Sequence, residues 1–211
     1  VSESLARGEK KALNERLNSA FRAGMIIALP CAAGLFILAT QISDLLYAAP
    51  EAGIPLEPLA FSCIALAAFQ LSSAGLQGMG RPEIAMKNLL ITGILKVIFN
   101  YTLTGIPALN VRGAAIGTVV AFLIGSFLNL IYLRKITGIS YEISRLVKIT
   151  AVTVIMAIGV RYSYQFFVGI DIRSHLATVM AITIGVGIYG SLLFIIRELD
   201  IKMLKRLIKG Q

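Results

Sequence analysis

Six apolar stretches, parted by short charged segments, fill most of the chain and decide the solvent in which it folds. They are Ala23–Tyr47, Pro58–Gly80, Ile84–Pro107, Gly113–Leu133, Leu146–Val168 and Leu176–Ile196. A hydrocarbon core about 30 Å thick needs roughly 20 apolar residues of helix to cross it, and each stretch meets that length. Of the 211 residues 57% are hydrophobic and 15% charged. A soluble domain of this size could not bury six helices on every face. The sequence therefore predicts an all-α fold, a polytopic membrane helix bundle of six transmembrane helices. Residues 1–22 are expected as a cytoplasmic amphipathic segment, 23–196 as the bundle and 197–211 as a basic cytoplasmic tail.

The cations give an orientation. Of the 20 Lys and Arg residues, 16 fall in the N-terminal segment, the second-to-third loop, the fourth-to-fifth loop and the tail. Arg112 and Arg173 alone fall on the other side, and Lys96 and Arg161 fall inside spans. Cytoplasmic loops are enriched in Lys and Arg, so both termini are expected in the cytoplasm and the chain in the cell membrane as a multi-pass protein. The net charge of +9 is spread over four segments rather than one face, which argues against a nucleic-acid partner. Leu13, Leu17, Ala20, Phe21 and Gly24 recur at helical spacing ahead of the first span. That stripe suits either an interfacial helix or ordinary membrane-flanking sequence. The tail from Ile201 to Ile208 has the same basic, amphipathic character.

Gly113, Gly117, Ala121 and Gly125 repeat every fourth residue of the fourth span. Small residues in such a row let another helix backbone approach closely where lipid gives no hydrophobic drive. Pro30, early in the first span, removes a hydrogen bond to the Ile26 carbonyl and should kink the helix. Pro55 and Pro58 suit the start of the second span and Pro82 the start of the third. Cys31 and Cys63 lie in different apolar spans without metal-ligand spacing and read as small buried hydrophobes. His175, the single histidine, reads as a solvated loop residue.

Ionisable groups inside a bilayer are costly and point to function by default. Lys96 lies midway along the third span, where Asn88, Thr92, Lys96, Asn100 and Thr104 follow at four-residue steps. Each step overshoots a full turn by about 40°, so Thr92, Lys96 and Asn100 share a face. Gln70, Ser73 and Gln77 form a second polar face on the second span. Two such stripes could line a water-accessible cavity; a contact between helices is the other reading of Lys96. Arg161, nearer the outer end of the fifth span, is a further candidate that could snorkel to headgroups. No carboxylate is placed mid-span, so a cation-coupled relay has no obvious seat and a deep cation suits an anionic ligand. With one His and no nucleophile–base pair or metal spacing, the sequence offers no catalytic residue, no metal site and no cofactor.

Several segments then resemble a known family. They are Ala23–Pro30 with Gly34-Leu35 and Leu45-Leu46-Tyr47, Leu76-Gln77-Gly78-Met79-Gly80-Arg81-Pro82, Lys96 followed by Asn100, and Val111–Thr118. The chain resembles the SpoVB-like polysaccharide-biosynthesis branch of the multidrug/oligosaccharidyl-lipid/polysaccharide exporter superfamily, which includes MurJ-type flippases. The resemblance, carried over residues 2–135, implies a MATE/MurJ-like partial bundle. Members typically have two six-helix lobes, often with two added helices, and this chain is similar to the last six helices of such a protein. It implies alternating access and a lipid-linked, negatively charged glycan precursor as partner, beside membrane lipid, with the missing N-terminal lobe needed for transport. The family's cavity arginines fall in helices outside this sequence. Alternatives are a cation-coupled multidrug antiporter of the same superfamily and a non-transporting fragment or scaffold.

Overall fold

A computed structural model describes residues 2–138 and 143–196, with side chains over 13–138 and 144–196. The expected basic tail, 197–211, lies outside the described residues. Among those residues all regular structure is helical: α1 (Ser2–Ile37), α2 (Ala39–Tyr47), α3 (Gly53–Leu59), α4 (Ser62–Gly78), α5 (Pro82–Thr104), α6 (Val111–Thr137), α7 (Ile143–Gly169) and α8 (Ser174–Ile195). Five helical segments are long and apolar enough to cross a membrane. A bent pair, Pro50–Leu59 with Ser62–Gly78, makes a sixth if it is one span. The chain is thus an all-α polytopic membrane bundle.

Boundaries shift where prolines act. The first membrane-length segment is Leu13–Ile37 rather than Ala23–Tyr47, and α1 continues through Pro30. The break comes at Leu38, after which α2 starts afresh. The second span begins earlier than Pro58 and turns by 42° between Leu59 and Ser62. Pro58, inside α3, has no N–H for the Ile54 carbonyl, the standard cause of such a bend. Pro82 sits in the first turn of α5, where its missing donor costs nothing.

The helices pack in two groups joined by α1. One is α4, α5 and α6; the other sets α7 and α8 against α1. Leu17 of α1, Leu76 of α4, Ala85 of α5 and Leu133 of α6 form one buried cluster, with Leu13 and Phe21 packed around it. The apolar stripe before the first expected span therefore faces the bundle. A second cluster joins Leu38 to Val152, Met156, Val160, Ala181, Tyr189 and Leu193. Many remaining large apolar side chains are exposed, such as Leu90, Val97, Phe127 and Val186, the outward apolar surface that a bilayer requires and water would penalise.

Every fourth residue of α6 from Gly113 to Thr137 is buried: Gly113, Gly117, Ala121, Gly125, Asn129, Leu133 and Thr137. A Cβ on Gly113 would strike the Leu103 carbonyl, and one on Gly117 would lie 2.9 Å from the Asn100 nitrogen. One on Gly125 would strike Thr92 Oγ1 and the Phe69 ring. The glycine row is thus the seam along which α6 meets α5, backbone against backbone.

The Pro30 carbonyl problem has a specific answer. The Ile26 carbonyl, left without its helical donor, accepts a hydrogen bond from the Tyr189 hydroxyl of α8 at 2.7 Å. Cys31, one residue on from Pro30, is exposed and Cys63 half-buried; both are free thiols. The expectation of a buried Cys31 is corrected: its side of α1 lines a surface groove with Gly34, Met156, Gly185 and Val186.

Candidate functional site

The polar stripe of α5 runs beside the glycine row of α6. At one end Asn88 Nδ2 donates to Asn129 Oδ1 at 2.7 Å, and Asn129 Nδ2 donates to Ser73 Oγ at 2.8 Å. Both asparagines are buried, so one clasp of two side-chain hydrogen bonds ties α4, α5 and α6 together. Thr92, one turn on, is buried against Gly125 and returns its hydroxyl proton to the Asn88 carbonyl. Lys96 follows, half-buried. Its Nζ lies 5.9 Å from the centre of the Phe122 ring of α6. Asn100 comes next, against Gly117, with its Oδ1 buried and without a hydrogen-bond partner.

Phe122 also meets Phe69 of α4 edge-on, with ring centres 5.6 Å apart. Phe69 belongs to a groove of about 580 Å³ between α4 and α5, which Gln70, Ser73, Gln77 and Glu83 also line. Gln70 and Gln77 are exposed, so this groove presents two amides beside apolar side chains, with the Glu83 carboxylate, paired to Arg81, also on its wall. The Lys96–Phe122–Phe69 chain links the cation to that groove through two aromatic rings. Arg161 stands apart: it is exposed on α7, which packs on α1 and α8.

The magnitudes matter for Lys96. A cation at the centre of a span costs about 2.5–3.5 kcal/mol on insertion scales. A cation–π contact returns about 2 kcal/mol when desolvated and less when wet. Phe122 therefore offsets part of the cost only. Among the described residues no carboxylate pairs with Lys96; the ion pairs are Arg81–Glu83 at 3.7 Å, Arg112–Glu57 at 3.2 Å and His175–Asp44 at 4.0 Å. The described residues also hold no group of three or more His, Cys, Asp or Glu placed to bind a metal. His175 is exposed and faces Asp44 of α2 rather than solvent alone.

Sequence reasoning named Asn88 and Ser73 but missed Asn129, the residue between them. Its signal was present, because Asn129 is the next four-residue step after Gly125.

The fold and its outward apolar surface define a polytopic helical membrane protein. Residues 1–180 match the family profile of the lipid II flippase MurJ, and the chain belongs to that family, within the multidrug/oligosaccharidyl-lipid/polysaccharide superfamily. It is 24% identical over 203 residues to the lipid II flippase MurJ of Bacillus subtilis (strain 168), covering 90% of this chain and 37% of that protein. It is 24% identical over 213 residues to the probable low-salt glycan biosynthesis flippase Agl15 of Haloferax volcanii, covering 99% and 44%. A solved structure of the lipid II flippase MurJ in an inward closed conformation shares the fold. Its TM-score is 0.75 at 17% identity, covering 91% of this chain and 41% of that one. The chain thus spans less than half the length of these relatives.

Proposed function

We propose that the chain is part of a flippase that moves a lipid-linked, anionic oligosaccharide or peptidoglycan-type precursor across the cytoplasmic membrane by alternating access. The observation that carries this reading is Lys96: a cation in the middle of a span, solvated by one ring and lacking a described carboxylate. A pyrophosphate would supply the missing counter-charge. Asn100 one turn away, and Gln70 and Gln77 in the adjoining groove, would supply polar contacts to the headgroup, whereas the sequence candidate Thr92, buried against Gly125 with its hydroxyl proton given to the Asn88 carbonyl, would hold the α5–α6 seam. Arg161 would act separately, at the headgroup layer. Relatives named as flippases of lipid II and in glycan biosynthesis support the same reading. Both termini belong in the cytoplasm on the distribution of Lys and Arg, and the remainder of the transporter would come from the part of the relatives' length not covered here.

The test is Lys96→Gln in the full-length transporter. Lipid-linked precursor should accumulate in membranes whose level of the variant matches wild type, and Lys96→Arg should retain part of the transport because it keeps the charge in a different shape. Full transport by a well-expressed Lys96→Gln variant would remove Lys96 from substrate binding. A fall in protein level with normal transport per molecule would assign it to the α5–α6 contact instead.

A further inference from the structure

At the end of the bundle where α1, α4, α6 and α7 converge lies a pocket of about 170 Å³. Arg22 of α1 and Arg145 of α7 line it with Asn18, and its floor is Phe21, Met25, Ala68, Leu130 and Leu146. The two arginines are 123 positions apart in the sequence and line one pocket because α7 packs along α1. This is also the end where Leu17, Leu76, Ala85 and Leu133 gather, next to Arg16, Arg81 and Arg134 in the sequence. The pocket is separate from the α4–α5 groove. Ala68 faces the pocket and Gln70 the groove, and two residues along a helix are about 200° apart around its axis.

We infer that this pocket binds the phosphate headgroup of an anionic membrane phospholipid. Two arginines over an apolar floor match a phosphate attached to acyl chains. Basic pockets between transmembrane helices take such headgroups. A guanidinium has five donors and can hold a neighbouring group and a phosphate oxygen together. Size selects the class of ligand: a cavity of about 150 Å³ holds one benzene-sized group, so this one takes a phosphodiester with its first carbons and excludes an oligosaccharide. The occupant proposed is a lipid of the surrounding leaflet, whose phosphate sits next to its acyl chains as the two arginines sit next to the apolar floor.

The experiment titrates the purified protein in phosphatidylcholine nanodiscs with phosphatidylglycerol and reads the unfolding temperature. Wild type should show a saturable rise with phosphatidylglycerol and none with free glycerol 3-phosphate. Arg22→Gln with Arg145→Gln should weaken the apparent affinity roughly thirtyfold, the loss expected for two basic side chains at an anionic surface. Arg22→Lys with Arg145→Lys should keep part of it. Ala68→Phe, which fills the pocket and leaves both charges, should also abolish saturation, and it decides the matter if the glutamine pair does not fold in phosphatidylcholine. Lys96→Gln should respond like wild type, which separates this site from the substrate reading. An unchanged phosphatidylglycerol response in the glutamine pair or in Ala68→Phe overturns the inference. So does an equal response to glycerol 3-phosphate.

Discussion

A proline in a transmembrane helix leaves a carbonyl that lipid cannot satisfy, and the neighbouring helix must answer it. Here the Tyr189 hydroxyl does so for Ile26 at 2.7 Å. Hydrogen bonds between membrane helices contribute about 0.6 kcal/mol on average and up to about 1.7 kcal/mol. Tyr189→Phe should therefore lower stability in detergent by about 1 kcal/mol, since it removes the donor and keeps the ring. The loss should shrink in a Pro30→Ala background, where the residue-30 N–H can reach the Ile26 carbonyl along the helix. A double-mutant cycle measures this coupling; equal losses in the two backgrounds would show that the tyrosine acts by packing alone. The orphan carbonyl was legible in the sequence, because Pro30 names its i−4 partner. Tyr189 was not, since nothing local connects residues 163 positions apart.

Between elements, the α5–α6 seam and its clasp make separable claims about stability. Gly117→Leu forces a side chain into the Asn100 backbone, where a Cβ alone would lie 2.9 Å from the nitrogen. Asn129→Ala removes a donor and an acceptor but leaves the backbones in place. At the per-bond values above, it should cost about 1–2 kcal/mol. Gly117→Leu should cost more, and Leu90→Ala, an exposed position, close to nothing. The monodisperse fraction on size exclusion and the melting temperature in detergent should rank the three in that order. If Gly117→Leu matches Leu90→Ala, α6 does not depend on its glycine row. The row itself was legible, as four-residue spacing locates a face of a helix. What lies against that face was not. The stripe Asn88, Thr92, Lys96, Asn100 has the same period whether it borders water or a glycine row, and only the register of α5 on α6 distinguishes them. The clasp was half legible for the same reason: its two outer members fell on recognised polar faces, while Asn129 was hidden in a row read only for small residues.

For the molecule as a whole, the two ends of the bundle differ in charge, and this difference sets the orientation test. At one end Leu17, Leu76, Ala85 and Leu133 come together, next in the sequence to Arg16, Arg81, Arg134 and Lys135. At the other, Asp44 faces His175 and Glu57 holds Arg112, so acids accompany the few bases there. Moving basic loops across the membrane is the step that cells disfavour, so on the orientation proposed above the acid-containing end faces outside. In a background lacking Cys31 and Cys63, single cysteines at Glu51 and His175 should react with a membrane-impermeant thiol reagent added to intact cells. A cysteine at Lys135 should react only after permeabilisation. All three positions lie outside the core, the first two in or beside exposed turns, so accessibility does not limit the comparison. The assay also counts spans. Glu51 follows α1 and α2, Lys135 ends α6, and His175 begins α8. If the bent pair of α3 and α4 were re-entrant rather than one crossing, Glu51 and Lys135 would lie on the same side of the membrane and His175 on the other. Labelling of Lys135 from outside with silence at both Glu51 and His175 would invert the orientation, whereas labelling of Glu51 and Lys135 together, with silence at His175, would mean that the bent pair does not cross.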